Sequence, residues 1–430
     1  MDRFDTIVIG GGPAGLMAAA QASSVGERVL LVEKNASLGV KLLLAGRGRC
    51  NFTNAEPDLG TFLSRYGPNG KFLWSAFARF GPAQTMELFE QNGVGAVEER
   101  GKRVFPSLRP GRDESGGQRI LDMLLTLCKK GGVRILRRSP VRGLKVRKGR
   151  IQRIVTPVEE LEAGRYILAT GGRSFPRTGS TGDGYALARQ AGHTIVGPWP
   201  ALVGVRTQER WTKLAHGCGL RNVRLSVLVD GRKELERFGE MELMDAGVSG
   251  PIVMEVSGRL PDWSARGAVH LSIDLKPAVP AEELRERVAR DFQEAGERRF
   301  AAALRKLVPG PLVPMILELS DVPHDKPVAY VSGEEMDELV RLLKDVRLTA
   351  TGPLGFDHAV VTRGGVDLKE VEPATMRSKL CPDLYLAGEV LDLDGPSGGF
   401  NLQMCWSTGW AAGLGGHAAQ GSPSEDAVMI

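Results

Sequence analysis

Three glycines near the start of the chain have the spacing of a turn that wraps around a phosphate. Gly10, Gly12 and Gly15 follow a short apolar run and precede small apolar residues, Leu16 to Ser24, which are typical of a closely packed helix. The first glycine permits a tight turn, the second lets the backbone approach a pyrophosphate, and the third lets helix and strand pack closely. A helix that begins here would direct its positive end at the phosphates.

An acidic residue completes this pattern. Glu33 ends the next apolar run, which begins at Arg28, and a carboxylate there could accept hydrogen bonds from the two hydroxyls of a ribose. Because an acidic side chain at this position disfavours a 2′-phosphate, the pattern predicts FAD or NAD. An ordinary glycine turn would leave Glu33 unexplained, so we favour a dinucleotide site.

The C-terminal part of the chain favours the flavin. Leu384 to Glu389 has the pattern of a strand ending in Ala-Gly-Glu, and a second glycine-rich turn follows at Pro396 to Gln403. Glu389 would lie near a ribityl hydroxyl. A helix that begins near Asn401 would aim its positive end at the N1–O2 edge of a flavin, where reduction places negative charge. No second glycine fingerprint follows a strand, so NAD(P)H is predicted to act as a transient electron donor.

The elements that must position these residues predict an α/β protein with a Rossmann-like FAD-binding domain. Strands and helices alternate at the start of the chain, a buried strand returns at residues 165–172, and the same pattern reappears from Leu384. The domain is therefore predicted to be discontinuous, over residues 1–192 and 351–430. A β-rich substrate domain (193–275) and a helical domain (276–350) are predicted between its two parts.

Composition excludes several classes of protein. The 430 residues are 42% apolar and 25% charged, the balance of a soluble globular enzyme. No apolar run approaches the roughly 18 residues that a membrane helix needs, and the charged N-terminus has no secretory signal. The cysteines are scattered without a C-x-x-C pair, and the histidines have no metal-binding spacing. We therefore predict a cytoplasmic enzyme without a metal and without a membrane partner.

Charge is concentrated in one stretch. The net charge is +5, yet the 25 residues from Lys129 to Arg153 carry eleven Lys or Arg and no acidic residue. A field of this kind attracts polyanions, of which nucleic acid is the commonest in a cytoplasm. The alternative is a solvated hairpin that aids solubility. The residues predicted to contact RNA are Arg137, Arg138, Arg147 and Lys148.

Several segments resemble a known family, the BaiN-like, aminoacetone-oxidase-type flavoproteins. The similar segments are Lys41 to Asn54, Thr178 to Ala188, Gly247 to Pro251, Ala387 to Asp392 and Gly398 to Gln403. The turn that begins at Thr181 is also similar to one near the flavin in fumarate-reductase-type enzymes. The usual loop of the family is Ser-Gly-Gly-Gly-Arg-Cys, whereas this chain has Ala45-Gly-Arg47-Gly-Arg49-Cys50.

The resemblance implies non-covalent FAD on a domain like that of glutathione reductase and fumarate reductase, with the adenine next to the backbone of Val141. The further positions that it implies for the cofactor are Pro13, Ala14, Lys34, Lys41, Arg49, Asn51, Thr170, Gly171, Asp183, Gly388, Gly399 and Leu402. Members of the family are described as aminoacetone oxidases and as reductases of bile-acid intermediates. Others reduce a uridine of large-subunit ribosomal RNA to dihydrouridine.

Uridine reduction needs a hydride at C6 and a proton at C5. Reduced flavin would supply the hydride, and a cysteine or a positioned water could supply the proton. Cys50 lies beside Arg49 and near Lys41, cations that are expected to lower the pKa of its thiol. Arg49 and Lys41 could also stabilise a flavin phosphate or an enolate oxygen of the uracil, and we favour the phosphate. For Cys50 we favour the alternative of a small, buried residue that packs under the loop.

Three functions remain open at this point. The first is an FAD-dependent reductase that acts on a uridine of ribosomal RNA, which we favour because a small neutral or cationic substrate needs no basic stretch. The second is a flavin oxidoreductase that acts on a small molecule, either a steroid-like enone or an amine. The third is a non-catalytic flavoprotein that binds RNA or senses redox state.

Overall fold

The computed structural model describes residues 4–108, 114–415 and 417. Its strands are β1 (Phe4–Ile9), β2 (Val29–Val32), β3 (Thr53–Asn54), β4 (Ala96–Glu99), β5 (Arg103–Pro106), β6 (Arg134–Leu136), β7 (Gly143–Arg147), β8 (Arg150–Val155), β9 (Glu160–Leu161), β10 (Ala163–Leu168), β11 (Ile195–Ala201), β12 (Val205–Thr207), β13 (Gly219–Val229), β14 (Arg232–Met244), β15 (Gly247–Ser249), β16 (Val269–Asp274), β17 (Val346–Pro353), β18 (Val361–Val366) and β19 (Leu384–Leu386).

The α-helices alternate with these strands in the first part of the chain and cluster between β16 and β17 in the second. They are α1 (Pro13–Ser24), α2 (Val40–Leu44), α3 (Leu59–Ser64), α4 (Trp74–Arg79), α5 (Pro82–Gln91), α6 (Gly116–Lys130), α7 (Asp183–Gln190), α8 (Pro251–Ser257), α9 (Leu260–Ser264), α10 (Ala281–Ala295), α11 (Phe300–Leu307), α12 (Val313–Leu319), α13 (Gly333–Lys344) and α14 (Phe400–Leu414).

The chain divides into two units. The first unit comprises Met1–Pro200 and Val360–Ile430, and the second comprises Ala201–Ala359. Residues 1–3, 109–113, 416 and 418–430 lie outside the described part of the chain.

The first unit is built on a parallel sheet with the strand order β19-β10-β1-β2-β6. β2 is buried along its whole length and β1 over its last four residues, as expected for strands that are covered on both faces. Parallel strands place their carboxyl ends at one edge, so the segments that follow β1, β2, β10 and β19 meet there. The predicted α/β fold with a Rossmann-like domain is confirmed.

Two helices of small residues cross closely beside this sheet. α1 and α14 are buried on nearly every face. A Cβ at Gly409 would lie 2.4 Å from the carbonyl oxygen of Ala14, and one at Gly413 would lie 2.6 Å from that of Ala18. Only glycine at these two positions permits so close an approach.

The basic stretch forms much of a separate antiparallel sheet in the first unit. Its strands are β7, β8 and β9, with β8 in the middle. Lys148 and Gly149 join β7 to β8 with φ values of 51° and 71°, the left-handed backbone of a tight hairpin. Residues 133–155 thus contain β6 of the parallel sheet as well as β7 and β8 of this one.

The second unit contains a closed barrel with the strand order β12-β15-β14-β13-β16-β17. The helices from α10 to α13 share one hydrophobic core with the barrel, which includes Leu271 of β16, Val288 of α10 and Leu343 of α13. The sequence divided this region at residue 275 into a β-rich and a helical domain, whereas in the structure strands and helices pack around the same core. Among the described residues, no helix combines the length and apolar character needed to cross a membrane.

Candidate cofactor site

The glycine turn between β1 and α1 leaves one side open. Gly10 has a φ of 107°, and a Cβ at Gly15 would lie 1.8 Å from the carbonyl oxygen of Gly10, so both positions require glycine. A Cβ at Gly12, by contrast, would meet no atom within 4 Å. Gly12 is also the N-cap of α1, and no side chain caps this helix, which begins at Pro13. The open space and the uncapped N–H groups together fit a phosphate.

Glu33 follows β2 and is 7% exposed. Its two carboxylate oxygens accept hydrogen bonds from the backbone N–H groups of Gly11 and Asn35, each at 2.7 Å. Its carbonyl oxygen accepts one from the N–H of Ser139 at 2.9 Å. Val141, two residues further on, is partly buried against the core. Each oxygen of the carboxylate retains a lone pair, so Glu33 can still accept hydrogen bonds from a ribose.

A second carboxylate, Glu389, follows β19 and contacts residues from three other segments. Lys41 Nζ lies 2.6 Å from Glu389 Oε2 and donates to Ser174 Oγ at 2.7 Å. Glu389 Oε1 accepts hydrogen bonds from Ser174 Oγ at 2.8 Å and from the N–H of Thr362 at 2.7 Å. We call Glu389, Lys41, Ser174 and Thr362 the Glu389 cluster. The sequence predicted Lys41 and Glu389 for the cofactor but missed Ser174 and Thr362. The contact of Lys41 with a flavin phosphate stays a prediction.

An ion pair and two hydrogen bonds join the segments that follow β2 and β10. Lys34 Nζ lies 2.8 Å from Asp183 Oδ2 and donates to Thr181 Oγ1 at 2.8 Å. Asn35 Nδ2 donates to the carbonyl oxygen of Thr178 at 3.0 Å. Lys34 and Asp183, which were predicted separately for the cofactor, are thus brought together at the start of α7.

The second glycine turn leads into α14, whose N-cap is Gly399 with a φ of 98° and without a side-chain cap. A Cβ at Gly399 would lie 2.1 Å from the carbonyl oxygen of Thr53, so the helix end packs against β3. The side-chain amide of Asn401 is bound to the backbone of Gly395 and Pro396. Leu402 is partly exposed. Asn401 therefore holds the turn, and the uncapped N–H groups of α14 are the part that can face a flavin.

Cys50 is completely buried, and burial raises the pKa of its thiol to about 12. The expectation that neighbouring cations would lower this pKa is wrong, because burial desolvates the thiol. The thiol is therefore protonated at neutral pH. Arg49 points away from this core, since it is paired with Glu99 and lies over the ring of Phe105, 4.2 Å from its centroid. Arg49 is thus engaged on the surface of the loop.

Several buried oxygen atoms near these segments have no hydrogen-bond partner. Asn51 donates through Nδ2 to the carbonyl oxygens of Thr53 and Val104, which leaves Oδ1 as an acceptor without a donor. The others are Thr170 Oγ1, Ser180 Oγ and Tyr185 Oη. Thr170 and Gly171, which has a φ of 73°, lie in the segment that follows β10. Ser180 and Tyr185 lie within the family-like segment Thr178 to Ala188 but were not predicted individually.

These features fit FAD. The uncapped ends of α1 and α14, the space beside Gly12 and the carboxylates of Glu33 and Glu389 match the phosphate, ribose, ribityl and flavin parts of the cofactor in kind. The unpartnered oxygens add polar groups that a bound cofactor could use. Within residues 4–108, 114–415 and 417, no group of three or more His, Cys, Asp or Glu side chains could hold a metal ion.

The family model of the HI0933-like protein Rossmann domain matches residues 4–415. The chain belongs to this family. It is 33% identical over 411 residues to a 3-dehydro-bile acid delta(4,6)-reductase of Clostridium scindens, covering 94% of this chain and 97% of that protein. It is 32% identical over 414 residues to a ribosomal RNA dihydrouridine synthase of Escherichia coli, covering 96% and 97%.

Among solved structures, a 3-ketosteroid delta1-dehydrogenase from Sterolibacterium denitrificans superposes with a TM-score of 0.55 at 14% identity, over 96% of this chain and 99% of that one. At this identity the likeness concerns the fold. The predicted family membership is confirmed, and so is the prediction of an FAD-dependent oxidoreductase.

Proposed function

We propose that this protein is an FAD-dependent enzyme of the cytoplasm that reduces a uridine of large-subunit ribosomal RNA to dihydrouridine, with NAD(P)H as the electron donor. A relative at 32% identity over nearly the full chain is named a ribosomal RNA dihydrouridine synthase. The relative named as a bile-acid reductase makes a small enone the second candidate. Both reactions add a hydride and a proton to a carbon–carbon double bond conjugated to a carbonyl.

The observation that favours RNA as the substrate is the positive charge of the basic stretch, Lys129 to Arg153. All eleven cations between Lys129 and Arg153 are exposed. Lys145, Arg150 and Arg153 are balanced by Glu160, Asp383 and Glu162 within ion-pair distance.

The four cations predicted to contact RNA differ from these three. Arg137, Arg138, Arg147 and Lys148 are not within ion-pair distance of any acidic side chain in the described part of the chain. Unbalanced, exposed cations at a hairpin tip and in the loop after β6 suit the phosphates of a nucleic acid.

Each of the candidate site residues would contact a different part of the cofactor. The N-terminus of α1 would bind the pyrophosphate, Glu33 the ribose, and Glu389 the ribityl chain. Bound FAD, once reduced, would supply a hydride for C6 of the uracil. The proton for C5 must come from a group that is protonated at neutral pH, a condition that Cys50 meets with its pKa of about 12. Since Cys50 is 0% exposed, a water positioned at the site is the donor that we favour.

The reaction is tested by mass spectrometry of ribosomal RNA from a strain that lacks the gene. A uridine that carries two additional hydrogen atoms in the parent strain should lose them in the deletion strain and regain them on complementation. Purified holoenzyme with NAD(P)H should restore the same base on RNA from the deletion strain. Unchanged RNA, together with turnover of a steroid-like enone, would support the second candidate instead.

The basic residues are tested as two pairs. Arg147→Gln with Lys148→Gln removes the hairpin tip, and Arg137→Gln with Arg138→Gln removes the cations after β6. If both members of a pair contact phosphates, the slope of log affinity against log salt should flatten by up to about 1.4–1.8. FAD content should stay unchanged. The matched control is Arg287→Gln with Arg290→Gln on α10, where each arginine faces an acid one turn away.

Two results would contradict this assignment. Equal RNA affinity and equal salt dependence in both pairs and in the control would reject the stretch as the RNA-binding surface. Loss of FAD in the Arg137 and Arg138 pair alone would mean that these cations support the cofactor. They are near enough to do so, since the backbone N–H of Arg138 donates to the carbonyl oxygen of Asn35, beside Glu33.

The cofactor is tested with Gly12→Val. The purified wild type should be yellow and should release intact FAD on denaturation. A side chain at Gly12 enters space that is empty in the protein fold but is needed by the pyrophosphate, so the variant should fold and be colourless. Gly197→Val is the matched control, since it too has no atom within 4 Å of the added Cβ. A yellow Gly12→Val protein, or a wild type that cannot be reconstituted with FAD, would contradict the proposed site.

The electron donor should bind only transiently. No second glycine fingerprint follows a strand in the sequence. Stopped-flow reduction of the flavin should therefore depend on NAD(P)H concentration without saturating in the micromolar range. Tight, saturating binding would require a nicotinamide site that the sequence pattern does not predict.

A further inference from the structure

The loop from Ala45 to Cys50 has an unusual backbone. Gly46, Arg47 and Gly48 have φ values of 57°, 57° and 86°, and Cys50 has a φ of 59°. Arg47, with a ψ of 41°, is fully in the left-handed region, where a side chain crowds the following carbonyl group. Glycine would adopt this conformation without strain. An arginine at this position therefore stores strain that a glycine would remove.

Close packing imposes this conformation on the loop. The N–H of Cys50 donates to the carbonyl oxygen of Ala45 at 2.9 Å, and that of Arg49 to Gly46 at 3.2 Å. A Cβ at Gly116, the first residue of α6, would lie 2.2 Å from the carbonyl oxygen of Arg49. Because α6 abuts the loop so closely, the backbone at Arg47 has little freedom to relax into another conformation.

The segments on either side of the loop are bonded to residues of the candidate cofactor site. On one side, Lys41 of α2 is paired with Glu389 at 2.6 Å. On the other, Asn54 Nδ2 donates to the carbonyl oxygen of Gly398 at 3.1 Å, next to the N-cap of α14. The loop that carries Arg47 thus lies at the edge of the site where the reacting ring of the flavin is expected.

The two arginines of this loop differ in their partners. Arg49 is paired with Glu99 and lies over Phe105. Arg47 is exposed, and in the part of the chain that the structure describes it is not within ion-pair distance of an acidic side chain. The strained position thus carries an exposed guanidinium that no acidic side chain of the described residues neutralises.

We propose that Arg47 binds a backbone phosphate of the RNA substrate next to the uridine that is reduced. A guanidinium forms two parallel hydrogen bonds with a phosphate, which fixes orientation as well as position. An exposed, unbalanced arginine at the edge of the cofactor site is suited to holding the strand while the target base enters. This inference rests on the proposed function and adds a contact close to the chemistry to those predicted on the basic stretch.

The test is Arg47→Gly in the full-length holoenzyme, because the substitution removes the guanidinium and relieves strain at once. The thermal midpoint should rise by about 2 °C, FAD content should not change, and kcat/KM on large-subunit ribosomal RNA from the deletion strain should fall about tenfold. Arg47→Lys, which keeps the charge but loses the two-pronged geometry, should lie between the two proteins.

Lys102→Gly is the matched control. Lys102 is an exposed cation with a φ of 59°, but it is paired with Glu56 at 2.7 Å. Its replacement by glycine also removes one positive charge and one left-handed side chain. RNA reduction by this variant should equal that of the wild type.

The outcomes separate this inference from the proposed function. A wild type that does not reduce RNA would overturn the proposed function itself. If the wild type reduces RNA and Arg47→Gly reduces it equally well, the role of Arg47 is overturned but the proposed function is not. If Arg47→Gly leaves RNA turnover unchanged but impairs reduction of a carboxylated steroid enone, the anion that Arg47 binds is a carboxylate, and the phosphate contact is rejected.

Discussion

Two glutamates of the first unit organise polar clusters of opposite character. Glu389 accepts hydrogen bonds from Ser174 and Thr362 and is paired with the cation Lys41. Glu370 accepts a hydrogen bond from the N–H of Thr194 at 2.9 Å and lies 3.0 Å from Nδ1 of His193. The first cluster therefore contains two formal charges, whereas the second is built around a titratable ring.

The second cluster is closed on itself. Ser378 Oγ accepts hydrogen bonds from the N–H groups of Leu380 and Cys381 at 3.1 and 2.9 Å, so its own proton is directed at Nε2 of His193, 2.7 Å away. This arrangement assigns the neutral tautomer to His193, with its proton on Nδ1 and donated to Glu370. Both ring nitrogens of His193 and the hydroxyl of Ser378 are thus engaged within this network. We call His193, Glu370 and Ser378 the His193 network.

The Glu389 cluster adjoins elements of the candidate cofactor site. Glu389 follows Gly388, whose φ is 76° and whose Cβ, if present, would lie 2.7 Å from that of Ala14 in α1. The cluster thus lies beside the helix expected to bind pyrophosphate. We therefore expect Glu389, which lies beside an uncapped helix end, to bind the cofactor, and Glu370, whose partners belong to the His193 network, to stabilise the fold.

The largest effect that separates the two clusters is expected for FAD affinity. Glu389→Gln removes the acceptor proposed for the ribityl chain and leaves Lys41 without its counter-ion, so the Kd for FAD should rise about 10–100-fold. Glu370→Gln is the isosteric control and should leave the Kd unchanged while lowering stability. Both are measured by titrating FAD into apoprotein.

This comparison fails if the two variants bind FAD equally well, because Glu389 would then be structural like Glu370. It is sharpened by Lys41→Gln combined with Glu389→Gln. Since the double variant leaves no unpaired charge, it should recover part of the stability lost in Glu389→Gln but not the affinity for FAD.

The same contrast explains what the sequence could predict. Gly10, Gly12, Gly15 and Glu33 lie within 24 residues, and their roles follow from local spacing on a strand, a turn and a helix. Lys41 and Glu389 were found through family motifs. Ser174 and Thr362 meet Glu389 only because β10 and β19 are neighbours in the sheet and β18 lies nearby in the fold.

The pKa of Cys50 and the unbalanced cations of the basic stretch depend on burial and ion pairing, which the spacing of residues along the sequence does not reveal. The pKa of Cys50 was predicted with the wrong sign because the cations next to it in sequence do not reveal that the thiol is desolvated. The basic stretch has no acid within it, but its strands are balanced in part by Glu160 and Asp383 from other segments. The unbalanced cations could be identified only after these pairs had formed.

The smallest predicted effect concerns the pH dependence of the His193 network. Burial lowers the pKa of His193 below its ordinary value, and this outweighs the opposing effect of Glu370. Protonation would also place a second proton between Nε2 and Ser378 Oγ, whose hydroxyl proton is already there. The folded protein therefore keeps His193 neutral at pH values where the unfolded chain, with an ordinary histidine pKa of about 6.5, becomes charged.

The direction in which stability changes with pH follows from this difference between the folded and unfolded states. Above about pH 6.5 both states are neutral and the contribution is constant. As the pH falls below that value, the unfolded state takes up a proton that the folded state does not, so stability decreases by at most about 1.4 kcal/mol per pH unit for one group. The lowered pKa of Glu370 acts in the same direction, but only at more acidic pH, where the unfolded carboxyl begins to protonate.

His193→Gln tests this assignment, since an amide can donate to Glu370 and accept from Ser378 but does not titrate. Unfolding in urea is followed by release of FAD, which reports on the first unit rather than on the barrel. Between pH 7.5 and pH 5.5, the midpoint for the wild type should fall more steeply than that for His193→Gln. Parallel curves would show that His193 titrates alike in both states, and the neutral, closed network that distinguishes it from the Glu389 cluster would have to be abandoned.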